Sequence, residues 1–160
     1  MVVDATRLQE GQAHLSTLLT TGDVLVQPFL KSVLTEGELS VVILDGRAEY
    51  AARKRPASGE VRIHYEWGGT VEPADLAADM AQLAERAIEA AGLEHLYARA
   101  DLVRGDAGAL VVMELEMIDP ELYLGFVPGT ADLVTDAFVR RVGASHDQAT
   151  RPGASDLPPR

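Results

Sequence analysis

The stretch "ELSVVILDGRAEYAARK", residues 38–54, decides the fold class. Two runs of β-type composition flank Asp45-Gly46. Asp-Gly favours a two-residue type I′ turn, because that turn needs positive φ at both central residues and its twist suits paired strands. The spacing predicts a hairpin in which Leu44 faces Arg47, Val41 faces Tyr50 and Glu38 faces Arg53. Leu39, Val41, Ile43, Ala48, Tyr50 and Ala52 then share one face, expected to be the core side.

Working outward, "LYARADLVR" (96–104) and "ALVVMELEM" (109–117) predict a second hairpin. Its turn is either Asp106-Ala107 or the four-residue loop 105–108, and both pair Arg104 with Ala109. Helices are expected at 7–20, at 73–92 and at 130–142. The first uses Leu8, Leu15, Leu18 and Leu19 as apolar contacts. The second has Pro73 in its first turn, Gly92 at its end, and Leu76, Met80, Leu83, Ala87 and Ala90 along one face. The third turns Leu133, Val134, Ala137, Phe138 and Val142 inward. "VLVQPFL" (24–30) reads as a short buried strand broken by Pro28. Residues 56–72 read as a glycine-containing loop with a brief strand at 61–65, and 143–160 as a disordered tail. Hairpins with few crossovers imply an α+β fold, a mainly antiparallel sheet with flanking helices.

The totals narrow the function. The 160 residues suit one compact domain or part of a larger protein. At 47% apolar residues the chain has enough material for a core. A formal charge of −11 argues against general nucleic-acid or anionic-membrane binding. It leaves room for a phosphorylated small molecule at a local basic patch. With no cysteine, thiolate zinc sites and thiol catalysis are out. The N-terminus does not read as a signal peptide and no apolar run reaches the length of a bilayer span, so a cytoplasmic protein is expected.

The second hairpin carries a charge problem. Glu114 and Glu116 lie two apart on a strand and so share a face. At roughly 5 Å and an effective dielectric of about 20, their repulsion is about 3 kcal/mol. The expected register sets Arg99 opposite Glu114, Asp101 diagonal to Glu114 and Tyr97 opposite Glu116. A loop of three or five residues would put Asp101 on the other face. Arg99 can neutralise one of the three acids. Mg²⁺ is suited to the rest, because it takes carboxylate oxygens and keeps positions for waters and phosphates. Alternating acids on a strand more often mark a solvated face of a half-exposed sheet. "RKRP" (53–56), Arg62 and Gly68-Gly69 supply local positive charge and free backbone N–H groups, which a triphosphate needs. The same basic residues would also guard an edge strand.

"VLVQPFL", "GELSVVILDG", "RKRPASGEVR", "WGG", "YARADLV" and "MELEMIDPELYL", in this order and spacing, resemble the C-terminal half of an ATP-grasp ligase. The likeness is to the glutathione synthetase-like branch, above all the cyclo-ligases that form D-cycloserine, and covers about Gln9 to Val142. It implies ATP with Mg²⁺ (or Mn²⁺), and a carboxylate small molecule converted to an acyl-phosphate that an amine or similar nucleophile attacks. Gln27, Pro28, Phe29 and Leu30 would read adenine from a hinge strand, and Glu38 would contact the ribose. Lys54 would hold the terminal phosphate, and Arg62 the substrate and developing charge. Asp101, Glu114 and Glu116 would be the metal ligands. The last of these is often Asn in the wider family, so Glu116 leaves the site one charge more negative. The resemblance also makes residues 1–22 a helix left from the preceding subdomain and 23–142 the C-terminal subdomain. The chain would then lack the partner subdomain and the N-terminal domain, as a truncated gene product, a fragment or half of a split enzyme. Two other readings compete: a non-catalytic remnant that pairs with another protein or as a homodimer, and a plain divalent-cation or structural module.

Overall fold

The computed structural model describes residues 1–61, 63 and 67–149. It divides the chain into two compact units, Met1–Lys31 and Ser32–Arg160. In the first unit a helix, α1 (Leu8–Leu18), buries none of its residues. Its leucines are exposed or half-buried, so the expected packing face is largely uncovered within the described unit, with only Val3 against it near Gly11. Residues 24–30 do not form the expected strand, and Leu25 and Val26 are 98% and 77% exposed. A strand needs a ladder partner for its N–H and C=O groups, and the described residues offer this segment none.

The second unit opens with a single helical turn, α2 (Ser32–Thr35), and continues as β1 (Glu38–Leu44), β2 (Arg47–Arg55), β3 (Thr70–Ala74), α3 (Ala78–Ala91), β4 (Tyr97–Arg104), β5 (Leu110–Glu116) and α4 (Thr130–Ala149). The strands form one sheet in the order β3-β2-β1-β4-β5, every neighbouring pair antiparallel. The expected α+β class and antiparallel sheet are therefore what the chain adopts. The third strand lies at Thr70–Ala74 rather than 61–65; residues 61 and 63 carry no strand, and 62, 64 and 65 are outside the described residues. Pro73 belongs to this strand and not to a helix: it sits opposite Ala52 on the edge of the sheet, where a residue without an N–H is tolerated. Helix α3 accordingly starts at Ala78 and ends, as expected, at Gly92 in the left-handed conformation.

The first hairpin turns at Asp45 (φ 49°) and Gly46 (φ 80°), the expected type I′ signature. Its register agrees with expectation at Leu44↔Arg47 and Ile43↔Ala48, then shifts, so that Val42 faces Tyr50 and Glu38 faces Lys54. Glu49 is the extra residue of a β-bulge. The Glu85 carboxylate of α3 accepts a hydrogen bond from the Ala48 N–H beside it at 3.0 Å. One added residue reverses every later side chain. Tyr50 and Ala52 thus leave the face of Leu39, Val41 and Ile43, and Lys54 goes with them.

Each sheet face has its own core. Leu39, Val41, Ile43, Ala51, Ala98, Ala100 and Leu102 pack on Met80, Ala84 and Ile88 of α3. The helix therefore buries the 80-84-88 line; Leu83 packs at its margin and Ala90 is exposed. On the other face Val42, Leu44, Tyr50 and Ala52 pack with Tyr123 and with Val134 and Ala137 of α4. Leu133, Phe138 and Val142, expected inside, are exposed, and α4 continues past Val142 into the stretch expected to be disordered.

Gly37 sets the start of β1 against the end of β2. Its φ is +81°, and a Cβ there would lie 2.2 Å from the Lys54 carbonyl oxygen. Gly46 also has positive φ, but a Cβ there would meet nothing within 4 Å. In urea unfolding, Gly46→Ala is expected to cost about 1 kcal/mol, the backbone cost alone. Gly37→Ala is expected to cost at least about 2 kcal/mol, since the strand ends must also separate. Equal losses would count against the close approach.

Candidate functional site

The bulge at Glu49 places Lys54 on the same face as Glu38 and Ser40 of β1. Across β1 and β4, Ser40 faces Asp101 and Val42 faces Arg99. Across β4 and β5, Asp101 faces Glu114 and Arg99 faces Glu116. The face that carries α4 on its apolar half therefore carries Glu38, Lys54, Arg99, Asp101, Glu114 and Glu116 on the rest.

This arrangement corrects the expected second hairpin. Arg104 faces Leu110 and not Ala109, so the connection has the odd length that would put Glu114 on the wrong face from Asp101. A second bulge, with Met113 as the extra residue, restores the alternation before Glu114. Asp101 is opposite Glu114 and not diagonal to it, and Glu116 faces Arg99 and not Tyr97.

The three carboxylates converge. One oxygen from each of Asp101, Glu114 and Glu116 lies within 4.8 Å of the others. Asp101 is buried at 1% exposure, Glu116 is half-buried and Glu114 is exposed, so the group opens to solvent on the Glu114 side. Asp101 receives two guanidinium bonds, from Arg99 Nε to Oδ1 at 2.9 Å and from Nη2 to Oδ2 at 2.9 Å. Arg99 Nη2 also pairs with Glu116, so this arginine serves two acids rather than one. Lys54 Nζ donates to Asp101 Oδ2 at 3.0 Å and is paired with Glu38 as well. Glu114 has no hydrogen bond or ion pair among the described residues. Among the described residues, four carboxyl groups thus face two cations.

Three protonation equilibria record the crowding. Burial pushes Glu38 up to about 7, against the pull of Lys54, and the charge of Asp101 adds to the rise. Burial also opposes the Asp101 carboxylate, but Lys54 and Arg99 outweigh it and hold that carboxyl below its usual value. Burial likewise disfavours the Lys54 ammonium, while Asp101 and Glu38 keep it charged and raise its pKa.

Tyr123 closes the inner edge of the cluster. Its backbone is left-handed (φ 55°), a strained state for a non-glycine residue, and its N–H is fixed by the Glu121 carboxylate at 2.8 Å. Its hydroxyl lies 3.3 Å from Ser40 Oγ, and Arg99 stands over its ring at 5.7 Å. Tyr50 donates to the Leu122 carbonyl at 2.7 Å and pins the same loop. Sequence reasoning singled out neither Tyr123 nor Ser40. Ser40 was recoverable from its alternation with Glu38 on one strand; Tyr123 left no periodic signal.

Of the expected site residues, Glu38, Lys54, Asp101, Glu114 and Glu116 are brought together. Gln27, Pro28, Phe29 and Leu30 lie in the first unit and form no strand. Arg62 falls outside the described residues, as do His64 and Tyr65.

One face of the five-stranded antiparallel sheet thus carries a carboxylate cluster beside basic side chains. The RimK-like ATP-grasp domain model matches residues 1–121, and the chain belongs to that family. It is 30% identical over 143 residues to the cycloserine biosynthesis protein DcsG of Streptomyces lavendulae, a match that covers 84% of this chain and 48% of that protein. The crystal structure of the D-cycloserine synthetase DcsG superposes with a TM-score of 0.68 at 28% identity, over 85% of this chain and 48% of that one. The ATP-grasp ligase PsnB, complexed with precursor peptide PsnA2 and AMPPNP, shares the fold at a TM-score of 0.57 and 18% identity, over 86% and 41% of the two chains. The chain thus spans about half the length of the relatives it matches.

The Glu38 shift gives a pH test. A carboxyl whose folded pKa exceeds its unfolded value leaves the folded state holding more protons between the two, so stability falls as pH rises through that window. For Glu38 the window runs from about 4.5 to about 7. Glu38→Gln removes the titration, so its stability relative to wild type should grow from pH 4.5 to pH 7.5, by on the order of 1–3 kcal/mol in denaturant unfolding. A constant difference would show that Glu38 titrates normally.

Proposed function

We propose that this chain forms the nucleotide- and metal-binding half of an ATP-dependent carboxylate ligase. The observation that carries the reading is the convergence of Asp101, Glu114 and Glu116 within 4.8 Å on the sheet face that also presents Lys54. The donor set suits Mg²⁺ or Mn²⁺: three hard carboxylate oxygens, one side open to solvent and, among the described residues, an excess of two acidic groups over cations. Bound there, the ion would neutralise charge on the phosphate oxygens of ATP.

The chain's own residues hold and orient. Arg99 fixes the buried Asp101 carboxylate by two hydrogen bonds and ties Glu116 to the same guanidinium, so two of the three ligands share one rigid support. Glu38 is buried against Lys54, which favours a role in aiming that ammonium over the ribose contact implied by resemblance. Lys54 is the cation for the terminal phosphate. Arg62 would hold the acyl substrate, and Gln27, Pro28, Phe29 and Leu30 would read adenine. The reaction is transfer of the terminal phosphoryl group of ATP to a substrate carboxylate, followed by attack of an amine or similar nucleophile on the acyl-phosphate with loss of phosphate. Catalysis of this kind is positioning and charge neutralisation.

Two observations favour a second reading, a non-catalytic remnant or partner-binding module. The first unit exposes Leu8, Leu19, Leu25 and Val26, and the chain spans about half of its relatives. An N-terminal half that binds this chain and leaves Mg·ATP affinity unchanged would support it.

The primary reading is tested by titrating Mn²⁺ against the full chain with electron paramagnetic resonance, with and without ATP. Asp101→Asn and Glu114→Gln are expected to weaken Mn²⁺ binding by at least about tenfold, about 1.4 kcal/mol each. Wild-type protein should also melt higher with Mg·ATP, since a ligand of the folded state stabilises it. Unchanged Mn²⁺ affinity in both variants would remove the metal assignment.

A further inference from the structure

Lys54 occupies the carboxylate that the metal reading needs. Asp101 Oδ2 accepts from Lys54 Nζ at 3.0 Å and from Arg99 Nη2 at 2.9 Å, while Oδ1 accepts from Arg99 Nε at 2.9 Å. Arg99 is committed to this arrangement by its second pair with Glu116, its bond to the Glu121 carbonyl and its seat over Tyr123. Lys54 is the less committed member, an ammonium on four flexible methylenes paired with Glu38 and Asp101 alone among the described residues. A divalent ion beside Asp101 would repel an ammonium held in hydrogen-bond contact with the same carboxylate.

We propose that Lys54 is a built-in counter-ion that fills the cation position beside Asp101 until an anionic ligand draws it away, so that divalent metal and phosphate bind cooperatively. This rests on the metal reading of Asp101, Glu114 and Glu116, and adds an order to it. Metal alone must displace Lys54 and binds weakly. Phosphate alone must take Lys54 from its pairs with Asp101 and Glu38, and also binds weakly. Together each removes the obstacle to the other, and by linkage the metal tightens phosphate by the factor with which phosphate tightens metal. The acidic excess of the site then does not attract stray divalent ions in the absence of nucleotide.

The test uses Mn²⁺ titration of the full chain by electron paramagnetic resonance, with and without inorganic phosphate, on wild type, Lys54→Met and Asp101→Asn. Phosphate is expected to tighten Mn²⁺ binding by wild type at least fivefold. Lys54→Met is expected to bind Mn²⁺ alone at least fivefold more tightly than wild type and to lose the phosphate effect. A Lys54→Met protein that binds Mn²⁺ no more tightly than wild type, or keeps the full phosphate effect, overturns the proposal. If Asp101→Asn abolishes binding in that case, the metal reading survives it; Mn²⁺ binding untouched by Asp101→Asn, or none by any of the proteins, overturns both. Should Lys54→Met fail to fold, wild type alone answers. The sequence has two lysines, Lys31 and Lys54, so amine acylation read by mass spectrometry has an internal reference. Mg²⁺ should raise Lys54 acylation severalfold relative to the exposed Lys31, and added phosphate should lower it again. A Lys54 rate indifferent to Mg²⁺ overturns the proposal equally.

Discussion

Side chains on a strand alternate between faces, and the charged cluster exists only because two strands break that alternation. Glu49 is one residue too many for β2 and Met113 one too many for β5. Without the first, Lys54 would point into the α3 core, where a buried ammonium has no partner. Without the second, Glu114 and Glu116 would leave Asp101 and Arg99 for the opposite face. Each bulge is supported where it occurs: Glu85 caps the Ala48 N–H beside the first, and Gly105 N–H bonds the Ala109 carbonyl to close the odd-length connection before the second. Bulges next to functional clusters re-aim side chains in this way.

The same two residues mark the limit of what the sequence discloses. The Asp45-Gly46 turn was legible because its chemistry is local: both positions need positive φ and these residues supply it. The antiparallel α+β class followed from two such hairpins. A bulge leaves no comparable mark, since Glu49 and Met113 are ordinary strand residues. The placing of Tyr50 and Ala52 on one face with Leu39, Val41 and Ile43 failed for that reason. The acidic face came out with the right members because two errors cancelled, an even loop in place of an odd one and a regular strand in place of a bulged one. Pro73 misled in a different way. It suits a helix's first turn, but it equally suits an edge strand, and β3 is the edge of the sheet. The segment 24–30 had strand composition without a ladder partner, and composition alone does not make a strand.

The repulsion between Glu114 and Glu116 is relieved unequally. Glu116 has a guanidinium, whereas Glu114 has solvent and no ionic partner among the described residues. The cluster is therefore graded, from Asp101, saturated and buried, through half-buried Glu116 to open Glu114. A purely structural ion-pair network tends toward matched charges, because breaking up a buried pair costs about 3–5 kcal/mol. Here the unmatched acid sits at the solvent end, where its charge costs least. That is also where an entering cation would first meet it.

Burial of Asp101 among two cations sets its chemistry apart from that of its neighbours. Its carboxylate stays ionised through Lys54 and Arg99 although desolvation opposes it, whereas Glu38, which shares Lys54 but lacks the guanidinium, is pushed toward neutrality. One lysine pairs with two buried acids, and of the two only Asp101 also has a guanidinium. The arginine is held by Tyr123, whose strained backbone is tied down by Glu121 and by the loop bond from Tyr50. The orientation of the carboxylate thus traces back to Tyr50, which the Glu49 bulge turned onto this face. The packing of Tyr50 in the α4-side core and the place of Lys54 in the charged cluster are two consequences of one extra residue.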